Sequence, residues 1–380
     1  MVEPTQDQKI TYATMSADQM NDLHNGIDQA IERITPKFGQ THPMYIDGQA
    51  IESAEQFDDV SPIDTRQVLA RFQTGTADHV RDAVRAANAA AKSWSAKPWE
   101  ERVAVVRNIS EGIRKNRWDL SAWMGYETGK NRLECVGDIE ESADFMAYYC
   151  SQMEANAGFA LKMDALGPDE ENTSVLRPYG VWGVIAPFNF PMALAAGPIG
   201  AALVTGNTVV LKPATDTPLL GIKLYEISTA AGLPPGVLNV VTGPGSTVGQ
   251  EISDNPGING IVFTGSKEVG MLLASENGRR QTPRPVITEM GGKNPAIVMN
   301  SANLEKASEG VWRSAFGAQG QKCSACSRVY VAADVKDRFV ELLVEKTNQI
   351  TVGDPMDRNK WLGPVINEQA IKTYERAIEE

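Results

Sequence analysis

Two residues of this chain have side chains and surroundings suited to covalent chemistry. Cys323 stands in the run GQKCSACSR, and Glu289 opens the run EMGGKN upstream of it. A thiolate attacks an electrophilic carbonyl to give a covalent intermediate, and a carboxylate base then activates water to release the product. The pair therefore suits acyl chemistry through sulfur. The small and polar neighbours Gln321, Lys322 and Ser324 argue that Cys323 is accessible, with a positive charge close by as a thiolate prefers. The bland alternative is a buried small hydrophobe, the commoner fate of a free cysteine. Glu289 is expected to be buried beside Met290 and two glycines, a setting that strengthens a carboxylate as a base.

The elements that must position this pair change character along the chain. The first half reads as helical after a short extended entry. YIDGQAIES is a hairpin around Asp47 and Gly48, and apolar residues at three and four spacing predict helices over 78–93, 100–114, 119–128 and 138–156, with Gly129 as a stop. Residues 173–179 are extended. From Val181 onwards short β-branched strands alternate with helices: VWGVIAP, TVVLKP, VLNVVTG and GIVFTG are each followed by a helical stretch. Such βαβ units imply a parallel sheet covered on both faces, with ligands at the carboxyl ends of the strands.

Four loops fall at those strand ends: residues 187–191, 212–215, 243–249 and 264–266. Singly they are weak, since GPGSTVG departs from the G-x-G-x-x-G spacing and a glycine-rich turn can serve packing alone. In succession they offer a lysine cation and free backbone N–H groups to one crevice, and a nucleotide is the economical ligand.

Composition is consistent with a soluble globular chain. It has 380 residues, 42% hydrophobic and 22% charged, with a net charge of −12. The acidic balance argues against a nucleic-acid surface. The short basic cluster Arg279, Arg280 and Arg284 reads as a solvated loop. Four cysteines are too few for a disulfide framework, which suits the reducing cytoplasm. The start, MVEPTQDQKITYATM, has neither signal-peptide nor transit-peptide character, and the longest apolar stretch, residues 192–210, is broken by Gly197, Pro198, Gly200 and Gly206. C-x-x-C at Cys323 and Cys326 raises a zinc or redox alternative. The remaining cysteines and the three histidines are remote in sequence, and no metal site is expected.

The motifs IAPFNFP, VLKPAT, FTGS, EMGGK and GQKC, in this order, resemble the aldehyde dehydrogenase superfamily, from about Tyr45 to the end. GQKCSACSR is most similar to the branch that oxidises glutamate semialdehyde, the 1-pyrroline-5-carboxylate dehydrogenases. The resemblance implies an α/β fold in which a Rossmann-type cofactor domain is joined to a second α/β catalytic domain. It places a helical part at 1–160, one arm of an oligomerisation hairpin at 161–180, the nucleotide-binding part at 181–290 and an incomplete catalytic domain at 291–380.

The resemblance also implies residue roles. Cys323 attacks the aldehyde, Asn189 joins the Cys323 backbone N–H in holding the oxyanion, and Glu289 activates water against the thioester. Cofactor contacts fall to Ala186, Pro187, Phe188, Lys212, Ala214, Thr215, Gly245, Gly249, Phe263, Thr264, Gly265, Ser266 and Val269. Within these, Lys212 binds the adenosine ribose and Ser266 lies near the pyrophosphate. Phe190, Ser324 and Glu134 are the expected substrate residues, Glu134 alternatively being a solvated helix position. Thr215 stands where many NAD-preferring members carry glutamate, so NAD is favoured by the branch and NADP stays open. The arm at 173–178 is expected to pair with a strand from beyond Glu380, in a homo-oligomer. The chain is read as ending inside a helix and as weakly active or inactive by itself. Two alternatives accompany this reading: a dehydrogenase for succinic semialdehyde or simple aliphatic aldehydes, and an inactive nucleotide-binding or interaction protein of the same fold.

Overall fold

The computed structural model describes residues 16–380; the start that was read for targeting signals, 1–15, lies outside the described residues. Helix α1 (Ala17–Ile34) begins at a Ser16–Gln19 capping box and buries Leu23, Ile27, Ala30 and Ile34 on one face. Strands β1 (Gln40–His42), β2 (Met44–Ile46), β3 (Gln49–Ile51), β4 (Gln56–Val60) and β5 (Val68–Gln73) follow. The predicted hairpin is β2–β3. Its two turn residues, Asp47 and Gly48, have φ of 52° and 77°, the left-handed pair that a two-residue hairpin loop requires.

Four helices come next: α2 (Ala77–Ala96), α3 (Trp99–Lys115), α4 (Arg117–Thr128) and α5 (Arg132–Ala155). Gly129 ends α4 in the left-handed conformation, as its expected stop role demands. Helix α5 starts at Arg132 rather than at residue 138, because the Asn131 side chain accepts from the Glu134 N–H at 3.0 Å and caps it. Strands β6 (Ala160–Met163) and β7 (Asn172–Val175) form an exposed antiparallel hairpin. Residues 173–175 of the expected arm thus pair with β6 within the chain.

The alternating segment is β8 (Val181–Ile185), α6 (Ala193–Val204), β9 (Thr208–Lys212), α7 (Leu219–Ala230), β10 (Leu238–Val240), α8 (Gln250–Asp254), β11 (Gly260–Thr264), α9 (Lys267–Gly278) and β12 (Val286–Glu289). The sheet order is β12-β11-β8-β9-β10-β2-β3. Its first five strands are parallel, and the β2–β3 hairpin closes one edge antiparallel. All five residues of β9 are buried, as a doubly covered sheet requires. From β8 the chain winds one way through β9 and β10, then returns to the other side of β8 for β11 and β12. The order reverses between β8 and β11, and the carboxyl ends of those strands are where such a sheet binds ligands. Helices α3 to α7 and the sheet share one core. Arg284, expected in a solvated loop, instead donates to the carbonyls of Ser253, Asn255 and Ile258 and fastens the approach to β12.

A smaller unit completes the described chain. Strands β13 (Asn294–Val298) and β14 (Cys326–Val331) pair in parallel with α10 (Leu304–Phe316) and α11 (Lys336–Asn348) packed on them, and the exposed α12 (Glu368–Glu379) follows. Val298, Val311 and Phe339 form its core. No helix of the described residues is long and apolar enough to cross a membrane.

Candidate active site

The loops after β8, β9 and β10 meet. Ala186, after β8, donates its N–H to the Lys212 carbonyl at 3.0 Å. Lys212 is buried at the end of β9, its ammonium donating to the Pro213 carbonyl at 2.9 Å, and burial pushes its pKa down to about 8. A Cβ on Gly249 would lie 3.8 Å from Lys212 Cδ, so the loop after β10 faces this lysine. Thr215 donates its hydroxyl to the Gly243 carbonyl at 3.2 Å, joining the loops after β9 and β10. Gly245 has open space where a side chain would stand. Ala214, Pro187 and Phe188 are half-buried along the same edge. Ser266 caps α9 through the Val269 N–H, and Val269 is 44% exposed in the first turn. Thr264 pairs with Glu289, and Gly265 donates to the Glu289 carbonyl at 3.0 Å. The Phe263 side chain belongs to the core and packs against Gly265, so its expected cofactor contact falls to its backbone.

Cys323 is exposed in the turn that leads into β14. Two asparagines hold its loop. Asn189 donates to the Gln321 carbonyl at 2.7 Å, while Asn294 donates to the carbonyls of Cys323 at 2.8 Å and Ala325 at 3.2 Å. A Cβ on Gly292 would lie 3.1 Å from the Cys323 carbonyl oxygen, so a side chain at this position would crowd the Cys323 loop. The structure therefore brings the Asn189 loop, the EMGGKN run and the GQKC loop together. Asn189 keeps one N–H of its amide for another acceptor, because a primary amide has two. Asn294 lay inside a recognised motif, yet only the fold shows what its amide reaches.

Two expectations fail here for physical reasons. Glu289 is exposed, because it shares with Ile287 the face of β12 that nothing covers; Met290 points the other way and packs on Gly270 of α9. Glu134 is buried at 6% exposure rather than solvated, and its Oε1 accepts from the Ala318 N–H at 2.7 Å in the turn before Cys323. Burial raises the Glu134 pKa, with Ala318 and Lys322 opposing. The Lys322 ammonium lies near Gly317, as the Glu134 carboxylate does, and its charge acts on that carboxylate. Ser324 is exposed next to Cys323, and Phe190 is half-buried with the Lys130 ammonium 3.7 Å from its ring centre. Cys326 packs against the core of the smaller unit, and both it and Cys323 are free thiols. No cluster suited to a metal ion occurs among the described residues.

Residues 50–380 match the Aldehyde dehydrogenase family. The chain belongs to this family. A 1-pyrroline-5-carboxylate dehydrogenase of Geobacillus sp. (strain WCH70) is 36% identical over 385 residues, covering 100% of this chain and 73% of the relative. Among solved structures, 1-pyrroline-5-carboxylate dehydrogenase from Thermus with bound NAD superposes with a TM-score of 0.92 at 32% identity, covering 100% of this chain and 73% of that one. Proline utilization A from Bdellovibrio bacteriovorus gives 0.90 at 35% identity, covering 94% of this chain and 38% of that one. This aldehyde dehydrogenase chain thus has the α/β fold that its motifs implied.

Proposed function

We propose that the protein oxidises L-glutamate 5-semialdehyde to L-glutamate, with NAD as the hydride acceptor. The observation that carries the reading is the meeting of the Asn189, Glu289–Asn294 and Cys323 segments at the carboxyl edge of a Rossmann-type sheet. The similarity to 1-pyrroline-5-carboxylate dehydrogenases supports the substrate.

The residues present fit a dinucleotide. Lys212 is a buried cation at a strand end, Gly249 of the next loop lies against it, and the first turn of α9 offers N–H groups without helical partners. When bound, the nicotinamide accepts hydride. Cys323 bonds to the aldehyde carbon, and the oxyanion that forms takes donors from Asn189 and the Cys323 N–H. After oxidation the thioester on Cys323 is open to water activated by Glu289. Ser324 offers a hydroxyl to the substrate carboxylate, and Phe190 walls the aldehyde carbon chain. Glu134 keeps one oxygen for the substrate amino group, the other being held by Ala318. In this reading the protein is cytoplasmic and homo-oligomeric, and the exposed Leu161, Met163 and Val175 of the β6–β7 hairpin favour association.

Glutamate semialdehyde should give a kcat/KM at least about tenfold above that of succinic semialdehyde, since a site that hydrogen-bonds a substrate group rejects the analogue lacking it. Steady-state assays with the full-length protein, run in parallel with NAD and NADP, check this. A preference for succinic semialdehyde or an unbranched aliphatic aldehyde overturns the substrate assignment.

Lys212 gives a second test. Its folded pKa of about 8 lies below the ordinary lysine value, so the folded chain holds its proton less tightly than the unfolded chain does. The resulting penalty is fully present below pH 8 and fades as pH rises towards the ordinary lysine range. Lys212→Met should therefore stabilise the cofactor-free protein by about 1–3 kcal/mol near neutrality, a gain that shrinks at pH 10. The same change should weaken dinucleotide binding at least about tenfold by removing a charge-assisted bond. Melting curves at the two pH values and a fluorescence titration measure both effects; an unchanged affinity removes Lys212 from the cofactor site.

A further inference from the structure

Lys130 has no role in the reaction just described, yet it is among the most buried large side chains of the protein, at 2% exposure. It lies between the left-handed Gly129 that ends α4 and the Asn131 that caps α5, a turn that carries it inward. Its ammonium donates to Asp138 Oδ2 at 2.8 Å and rests 3.7 Å from the centre of the Phe190 ring. The other Asp138 oxygen, Oδ1, accepts from the Ala193 N–H at 2.9 Å. Ala193 opens α6, a helix with no side-chain cap of its own. The pair therefore grips both ends of a short span: Lys130 holds the Phe190 ring, Asp138 holds the helix start, and Asn189 lies immediately before them.

Burying both charges is expensive unless their positions are used, and replacement by well-packed apolar residues would often be neutral for stability. Elsewhere in the same segment, Gln319 donates to the Gly129 carbonyl at 3.0 Å and Glu134 accepts from Ala318, so the turn also touches the loop that carries Cys323. We propose that Lys130 and Asp138 are positioning residues that set the Asn189–Phe190 turn against the Cys323 loop, fixing the oxyanion donor through the ring and the helix cap. The proposal rests on the reading of Asn189 as that donor.

The test is a double-mutant cycle in the full-length protein with glutamate semialdehyde and NAD. Lys130→Met should lower kcat by about 10- to 100-fold, as misplacement of one donor does, with KM and dinucleotide affinity within about threefold. Combined with Asn189→Ala, it should add little, because both changes remove the same positioned donor. Should Lys130→Met fail to fold with Asp138 unpaired, Lys130→Met/Asp138→Asn carries the same cycle with no buried charge and the helix cap retained. Losses that multiply, a kcat within about twofold of the parent, or an Asn189→Ala variant without a defect each overturn the proposal. Failure of the functional reading is separately visible, since turnover would then survive Cys323→Ala.

Discussion

Cys323→Ala is expected to lower aldehyde oxidation by at least about 10⁴-fold, the scale on which removal of a covalent nucleophile acts. Dinucleotide affinity should stay within about twofold, because the loops that would hold the cofactor leave β8 to β11 and the cysteine does not. The other three thiols are poor substitutes. Cys135 is fully buried and its thiol is pushed up by burial, Cys150 is pushed up to about 11 for the same reason, and Cys326 packs on a core. Cys323 is the one exposed cysteine among the described residues. That exposure also keeps the experiment clean: a surface substitution of this size shifts stability by about 0.5 kcal/mol or less, so lost turnover cannot be blamed on unfolding. Iodoacetamide should label Cys323 ahead of the rest and abolish the same activity. Turnover that survives the substitution would move the nucleophile elsewhere.

The contrast between what the residues disclosed and what they concealed follows from how local each signal is. The βαβ run was legible because β-branched strands and helix starts are read from neighbours in sequence, and the strand-end loops came with it. The start of α5 was not: Asn131 is a polar residue in a turn until its side chain is seen to cap the Glu134 N–H. That one cap moves Glu134 into a buried first turn, where it meets Ala318, far away in sequence. Lys130 was hidden by a sound rule, since lysine is almost never fully buried unless paired, and its partners Asp138 and Phe190 come together only in the fold. Glu289 erred in the other direction. Its glycine and methionine neighbours suggested burial, but Glu289 lies on the uncovered face of β12 and Met290 on the packed one, a difference that only the packing of α9 decides.

The exposed setting of Glu289 makes its assigned step the sharpest one to test. Glu289→Gln preserves size and removes the base, so hydrolysis of the thioester should slow by about 10²- to 10⁴-fold, the usual contribution of general base catalysis. Formation of the thioester needs only Cys323, the oxyanion donors and the cofactor. The first turnover should therefore remain fast, giving a burst of reduced dinucleotide that approaches one per subunit before a slow steady state. Rapid-mixing absorbance measures the burst, and mass spectrometry of the quenched protein locates the acyl group on Cys323. A different result carries equal information. If burst and steady state decline together, Glu289 acts before the thioester, as the base that readies the thiol. Hydrolysis would then need another group, and the division of labour between Cys323 and Glu289 would have to be redrawn.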